Sequence, residues 1–151
     1  MSTMTNRPAT DRSAAYEVMR RVFEEGFATG NADVVDELFA PDLVEHQFGL
    51  TGTGADAIQH VKDAIRNVHE IMPEAVITIE DSAEDGDKIW TRVWGRGIAA
   101  GPFFGPPSNR PLDFTVIDVA RVVDGRIVEH WGVPDRFAIL AQTGVLDRLT
   151  P

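Results

Sequence analysis

Two side chains able to exchange a proton, Asp118 and His130, fall within the segment Leu112 to Asp135, one on each side of an Asp124-Gly125 pair. That pair is the strongest hairpin signal in the chain, because glycine takes the left-handed conformation a hairpin loop demands. Loop length decides whether the two residues meet. A two-residue loop (Asp124, Gly125) sets Val123 opposite Arg126, and so Asp118 opposite Trp131. A three-residue loop (Val123 to Gly125) sets Val122 opposite Arg126, and so Asp118 opposite His130. One residue of slip moves every side chain to the other face.

The three-residue loop sorts the faces better and is the expected one. It places Ile117, Val119, Arg121, Ile127, Glu129 and Trp131 together, with Arg121 and Glu129 in diagonal reach of each other. The other face then carries Val116, Asp118, Ala120, Val128, His130 and Gly132, small residues around one carboxylate–imidazole pair. Directly opposed Cβ atoms lie roughly 4.5–5.5 Å apart, close enough for that pair to hydrogen-bond.

A carboxylate beside an imidazole favours the imidazolium, fixes its tautomer and raises its pKa across neutrality. Such a pair is a proton shuttle, and acid–base assistance of this kind contributes typically about 10²–10⁴ in rate. The chain has no cysteine, which excludes thiol nucleophiles, zinc–thiolate sites and disulfides. No metal-ligand cluster and no phosphate-binding loop is evident; the Thr51-Gly52-Thr53-Gly54 run lacks the G-x-G-x-x-G context of a dinucleotide site. The expected chemistry is therefore cofactor-independent and metal-free proton transfer on a substrate with an acidic C–H beside a carbonyl.

The elements that must position this pair follow from periodicity. Apolar residues at Ala15, Val18, Met19, Val22, Phe23 and Phe27 predict a helix over 11–29, and Val34, Val35, Leu38 and Phe39 a short second one. Leu43 to Phe48 alternates as a strand, with Val44, His46 and Phe48 on one face and Glu45 and Gln47 on the other. His46 is thus the polar member of an apolar face, a third candidate for proton transfer. A helix over about 55–72 follows, then a hairpin turning at Glu84-Asp85-Gly86. Its return strand alternates Trp90, Arg92, Trp94 and Arg96 with smaller residues. This Trp–Arg face suits either an outer or subunit surface or a pocket wall.

The loop from Ala99 to Pro111 carries Phe103 and Phe104 among prolines and glycines, and suits a flap over a cavity mouth or an arm on a second subunit. A terminal helix after Asp135, its expected N-cap, would set Phe137 and Leu140 on the core. The 151 residues, 43% hydrophobic, fit one domain with a real core over 11–151 after a disordered lead-in at 1–10. The element order predicts an α+β fold, helices against one face of a curved antiparallel sheet. A net charge of −10 argues against nucleic acid as partner. No apolar run reaches the ~20 residues of a membrane span, and a cytoplasmic protein is expected.

In order and spacing the chain resembles the SnoaL-like polyketide cyclases, of the nuclear-transport-factor-2-like superfamily, over about residues 14–144. The resemblance rests on FAPDLVEH after two helices, MPEAVITIEDSAEDGDKIW, the GPFFGPPSNRP loop, and VARVVDGRIVEHWGVPD followed by Gln-Thr-Gly. It implies a cone-shaped α+β fold, a deep pocket for a small apolar or polyketide-like molecule, and a homodimer. It also implies cyclisation, isomerisation or dehydration without a cofactor; the alternatives are a non-catalytic binding member or an epoxide-hydrolase-like enzyme. The family's strand histidine falls on His130 and its preceding-strand pocket residue on Asp118. Its acid/base carboxylate falls on Gly132 and its loop histidine on Ala99, two departures. The expected site is therefore Asp118 and His130 with His46 assisting. Trp94, Trp131, Phe103, Phe104, Val116 and Asp135 would shape the pocket.

Overall fold

The structure, a computed structural model, describes residues 12–149; the expected lead-in at 1–10 lies outside the described residues. Ser13 caps the first helix, α1 (Ala14–Arg21), by accepting a hydrogen bond from the Tyr16 amide. A π-helical turn (Val22–Phe27) continues it, and α2 (Val34–Leu38) follows. The long helix α3 spans Gly54–Ile71, one residue earlier at each end than the expected 55–72. Six strands then make one sheet: β1 (Phe39–Glu45), β2 (Gly52–Thr53), β3 (Val76–Asp85), β4 (Lys88–Ile98), β5 (Pro111–Val123) and β6 (Arg126–Pro134), in the order β2-β1-β6-β5-β4-β3. All neighbours run antiparallel except β1 and β6, which are parallel. The α+β architecture is the one expected.

One face of this sheet is covered by helices. Met19, Val22 and Phe23 from the first helical segment, Val35 and Leu38 from α2, and Ala57, Val61 and Ile65 from α3 pack on it. Leu43, Ile77, Ile89, Val93, Ala120 and Ile127 meet them from the strands. We call this the inner face. A helix α4 (Arg136–Gln142) follows β6, its first turn capped by Asp135, which accepts from the Ala138 amide. Its orientation corrects one expectation: Phe137 is exposed, and it is Ile139 that packs against the core. Among the described residues no helix is long and apolar enough to cross a membrane.

The central hairpin departs from the expected register. Its loop holds two residues, Asp124 and Gly125, both at positive φ as a tight primed turn requires, and Val123 faces Arg126. Val128 is then an extra residue: Val122 pairs Ile127 while Arg121 pairs Glu129. This bulge shifts the ladder again, so Asp118 lies opposite Gly132, and Ala120 opposite His130. Two one-residue shifts restore the parity. Asp118, Ala120, His130 and Gly132 still share a face, while Ile127 leaves the face it was expected to share with Ile117 and Trp131 and enters the core.

A carboxylate-imidazole-carboxylate site on the inner face

The bulge sets Asp118 and His130 diagonally across the β5–β6 ladder, and the imidazole reaches across. His130 Nε2 donates to Asp118 Oδ1 at 2.6 Å. Its other nitrogen meets a residue the sequence reading passed over. Parallel pairing puts Glu45 of β1 beside His130, and Nδ1 donates to its two carboxylate oxygens at 2.7 and 2.9 Å. Both carboxylates are buried, and the imidazole side chain is 13% exposed.

An imidazole with a carboxylate on each nitrogen is held as the doubly protonated cation. Burial pushes the His130 pKa down. Attraction to Asp118 and the hydrogen bonds to Asp118 and Glu45 outweigh that, and the pKa rises to about 10. With both carboxylates ionised the triad carries one negative charge in excess. Asp118 lies in β5, between Thr91 of β4 and Gly132 of β6.

Glu45 was missed because β1 was oriented by Val44 and Phe48. The anchor is instead Leu43, fully buried on the inner face; the two-residue period from it carries Glu45 and Gln47 inward. Phe48 is among the most exposed apolar side chains. Gln47 lies past the end of β1, and its carboxamide fills the space a side chain at Gly132 would take. A Cβ on Gly132 would collide with Gln47 Oε1 and stand 2.7 Å from Asp118 Oδ1. Glycine thus leaves room for the Gln47 carboxamide where the resemblance places the family's carboxylate.

The remaining sequence-predicted residues do not converge. His46 was expected beside His130, but alternation along β1 sends it to the outer face. There it pairs with Glu129 at 2.7 Å and stacks on Trp131, with ring centroids 4.8 Å apart. The hydrogen bond from His46, helped by one from Arg121, holds the Glu129 carboxyl below its usual range. Trp131 and Trp94 belong to the same outer face, Trp94 bonded to Asp113 and covered by the Arg96 guanidinium. Asp135 is spent on the α4 cap.

Val116 and Phe103 do pack against the inner core. Phe104 meets Phe103 edge-on at 4.8 Å but is itself exposed, at positive φ. Their loop is moored by the Gly101 amide on the Ile71 carbonyl, at the end of α3, and by Ala99 bonds to Arg110 and Asn109. Ala99, where the resemblance puts a loop histidine, is buried.

Comparison with known proteins agrees with this architecture. Residues 17–143 match the SnoaL-like polyketide cyclase family. The crystal structure of IdmH from Streptomyces antibioticus, described as a candidate polyketide cyclase, is 32% identical and superposes with a TM-score of 0.74, covering 88% of this chain and 99% of that one. A candidate polyketide cyclase from Acidithiobacillus ferrooxidans shares the fold at 21% identity, with a TM-score of 0.77 and coverage of 88% and 96%. A Corynebacterium efficiens protein described as cyclic pyranopterin monophosphate synthase is 29% identical over 142 residues, 89% of this chain and 84% of that one. With the family model matching residues 17–143 and the fold shared with IdmH, the chain belongs to the SnoaL-like polyketide cyclase family.

Proposed function

We propose that this chain is a cofactor-independent acid/base enzyme of cyclase or isomerase type, acting on a carbonyl-containing, polyketide-like molecule at the inner-face triad. The observation that carries the reading is the imidazolium buried between Glu45 and Asp118. In the proposed cycle Asp118 takes a proton from the carbon beside a substrate carbonyl. The electron pair of the broken C–H bond forms the enolate, and the proton returns to the new carbon or oxygen position. His130 and Glu45 position Asp118 and accommodate its change of charge. Membership of the family supports the reaction class, and the substrate identity is part of the proposal.

Deuterium exchange tests it, with 1-tetralone as probe: a fused-ring ketone with one acidic carbon position. In D₂O the wild type should accelerate exchange beside the carbonyl, and Asp118→Asn or His130→Gln should lose roughly 10²-fold or more of that acceleration. Equal exchange by wild type and both variants would sink the reading.

A second reading has its own observation. Both imidazole nitrogens are already bonded, as in a triad that only holds three strands together. The chain would then bind a small molecule without transforming it, and ligand binding without Asp118-dependent exchange would distinguish this case. We further propose a homodimer through the outer sheet face, where Ile117 and Val133 pair across β5 and β6 with both side chains exposed.

A further inference from the structure

Asp118 is the centre of a row across three strands: Thr91 of β4 opposes it on one side and Gly132 of β6 on the other. Thr91 is 1% exposed, and its buried hydroxyl oxygen has no hydrogen-bond partner among the described residues. A buried hydroxyl left without a partner is destabilising, and valine would fill the same shape at no such cost. The hydroxyl therefore needs a reason outside the folded chain itself. On the other flank stands the Gln47 carboxamide, lodged above Gly132 and beside Asp118 Oδ1. A carboxamide offers an N–H or a C=O as its last bond turns.

We propose that Thr91 and Gln47 form a subsite for an uncharged oxygen, the carbonyl or enol oxygen of a ketone whose neighbouring C–H is presented to Asp118. The proposal deepens the acid/base reading of Asp118 and rests on it. An uncharged ligand fits because the triad already carries a net negative charge, which repels a carboxylate or phosphate. The Thr91 hydroxyl and the Gln47 amide donate to the ligand oxygen. As the C–H bond breaks and its proton joins the Asp118 carboxylate, the electron pair moves into the C=C bond and charge grows on that oxygen. Donors already in place there bind the developing enolate more tightly than the ketone. The proton is returned in the second half of the cycle, so no other reactant is needed.

Thr91→Val deletes the hydroxyl and keeps shape and strand preference; Thr91→Ser keeps the hydroxyl. Binding is read by NMR chemical-shift titration with 1-tetralone and with tetralin, which has the same rings without the carbonyl. The wild type should prefer the ketone. Thr91→Val should weaken 1-tetralone about tenfold or more while leaving tetralin unchanged, and Thr91→Ser should retain the preference. Gln47→Leu should lose ketone affinity in the same direction. Because no protein partner is lost, Thr91→Val should melt at or above the wild-type temperature.

A wild type that does not distinguish the two probes, an undiminished ketone preference in Thr91→Val, or a lower melting temperature for that variant would overturn the subsite. Deuterium exchange separates the two levels. Asp118-dependent exchange with an unaffected Thr91→Val removes the subsite alone. A Thr91-dependent ketone preference without Asp118-dependent exchange removes the acid/base reading and leaves the subsite.

Discussion

At the scale of single residues the chemistry of this site is decided by what stands on each side of one imidazole ring. A neutral histidine with a free nitrogen would be a base in its own right; His130 has none, because Glu45 and Asp118 each take one N–H. In the proposed cycle the proton-accepting role therefore passes to the carboxylate oxygens. Removing Glu45 leaves the His130–Asp118 pair in place but strips the buried Nδ1 of its acceptor, so Glu45→Ala should cost about 1–3 kcal/mol in denaturant unfolding, more than an exposed ion pair. Glu45→Gln should cost less and lower the His130 pKa.

The sign of the pH dependence follows from the same geometry. The folded pKa of about 10 lies above the ordinary 6.5. The contribution of His130 to stability is therefore complete below pH 6.5 and lost as the pH rises toward 10. That loss should approach a slope of ~1.4 kcal/mol per pH unit. Unfolding curves collected from pH 6 to 10 should show it in the wild type and not in His130→Gln. A flat wild-type profile would contradict the electrostatic account.

At the scale of elements, the hairpin shows which structural information alternation carries and which it does not. Parity is written into the side chains, so the grouping of Asp118 with His130 on one face was legible. Register is not, because a bulge adds one backbone residue without any marker in the alternation; Val128 is as apolar as its neighbours. The same limit explains β1, where either parity was compatible with a half-apolar strand and the buried anchor Leu43 settled the matter. The parallel β1–β6 contact that brings Glu45 to His130 joins segments 85 positions apart, and no local pattern records it.

Deleting Val128 tests the role of the bulge. The ladder then becomes regular, with Ile127, Glu129 and His130 still opposite Val122, Arg121 and Ala120, so His130 keeps its inward facing. We expect the triad to persist, its ring ¹⁵N signature unchanged, with a loss of less than ~3 kcal/mol in chemical denaturation from the altered local twist. A deletion variant that loses the protonated His130 signature would contradict this register.

Across the whole molecule, one sheet serves two purposes on its two faces. The inner face holds the core and, within it, the polar row of Thr91, Asp118 and Gly132 with His130 and Glu45 alongside. On the outer face Trp90, Ile117 and Val133 are exposed. The rows Trp90–Val119–Trp131 and Arg92–Ile117–Val133 cross its middle strands, bordered by the ion pairs of Arg92 with Asp81 and Arg121 with Glu129. An apolar centre with a charged rim is the anatomy of a protein interface. Sedimentation velocity should give the mass of two chains for the wild type, and Ile117→Lys should shift it to one. A monomeric wild type would contradict the proposed homodimer.

The central claim, that His130 is a buried imidazolium held between two carboxylates, is tested most directly by the ¹⁵N shifts of its ring nitrogens as a function of pH. The account predicts that both nitrogens remain protonated through neutral pH and titrate only near pH 10. A neutral ring with one bare nitrogen at pH 7 would contradict it.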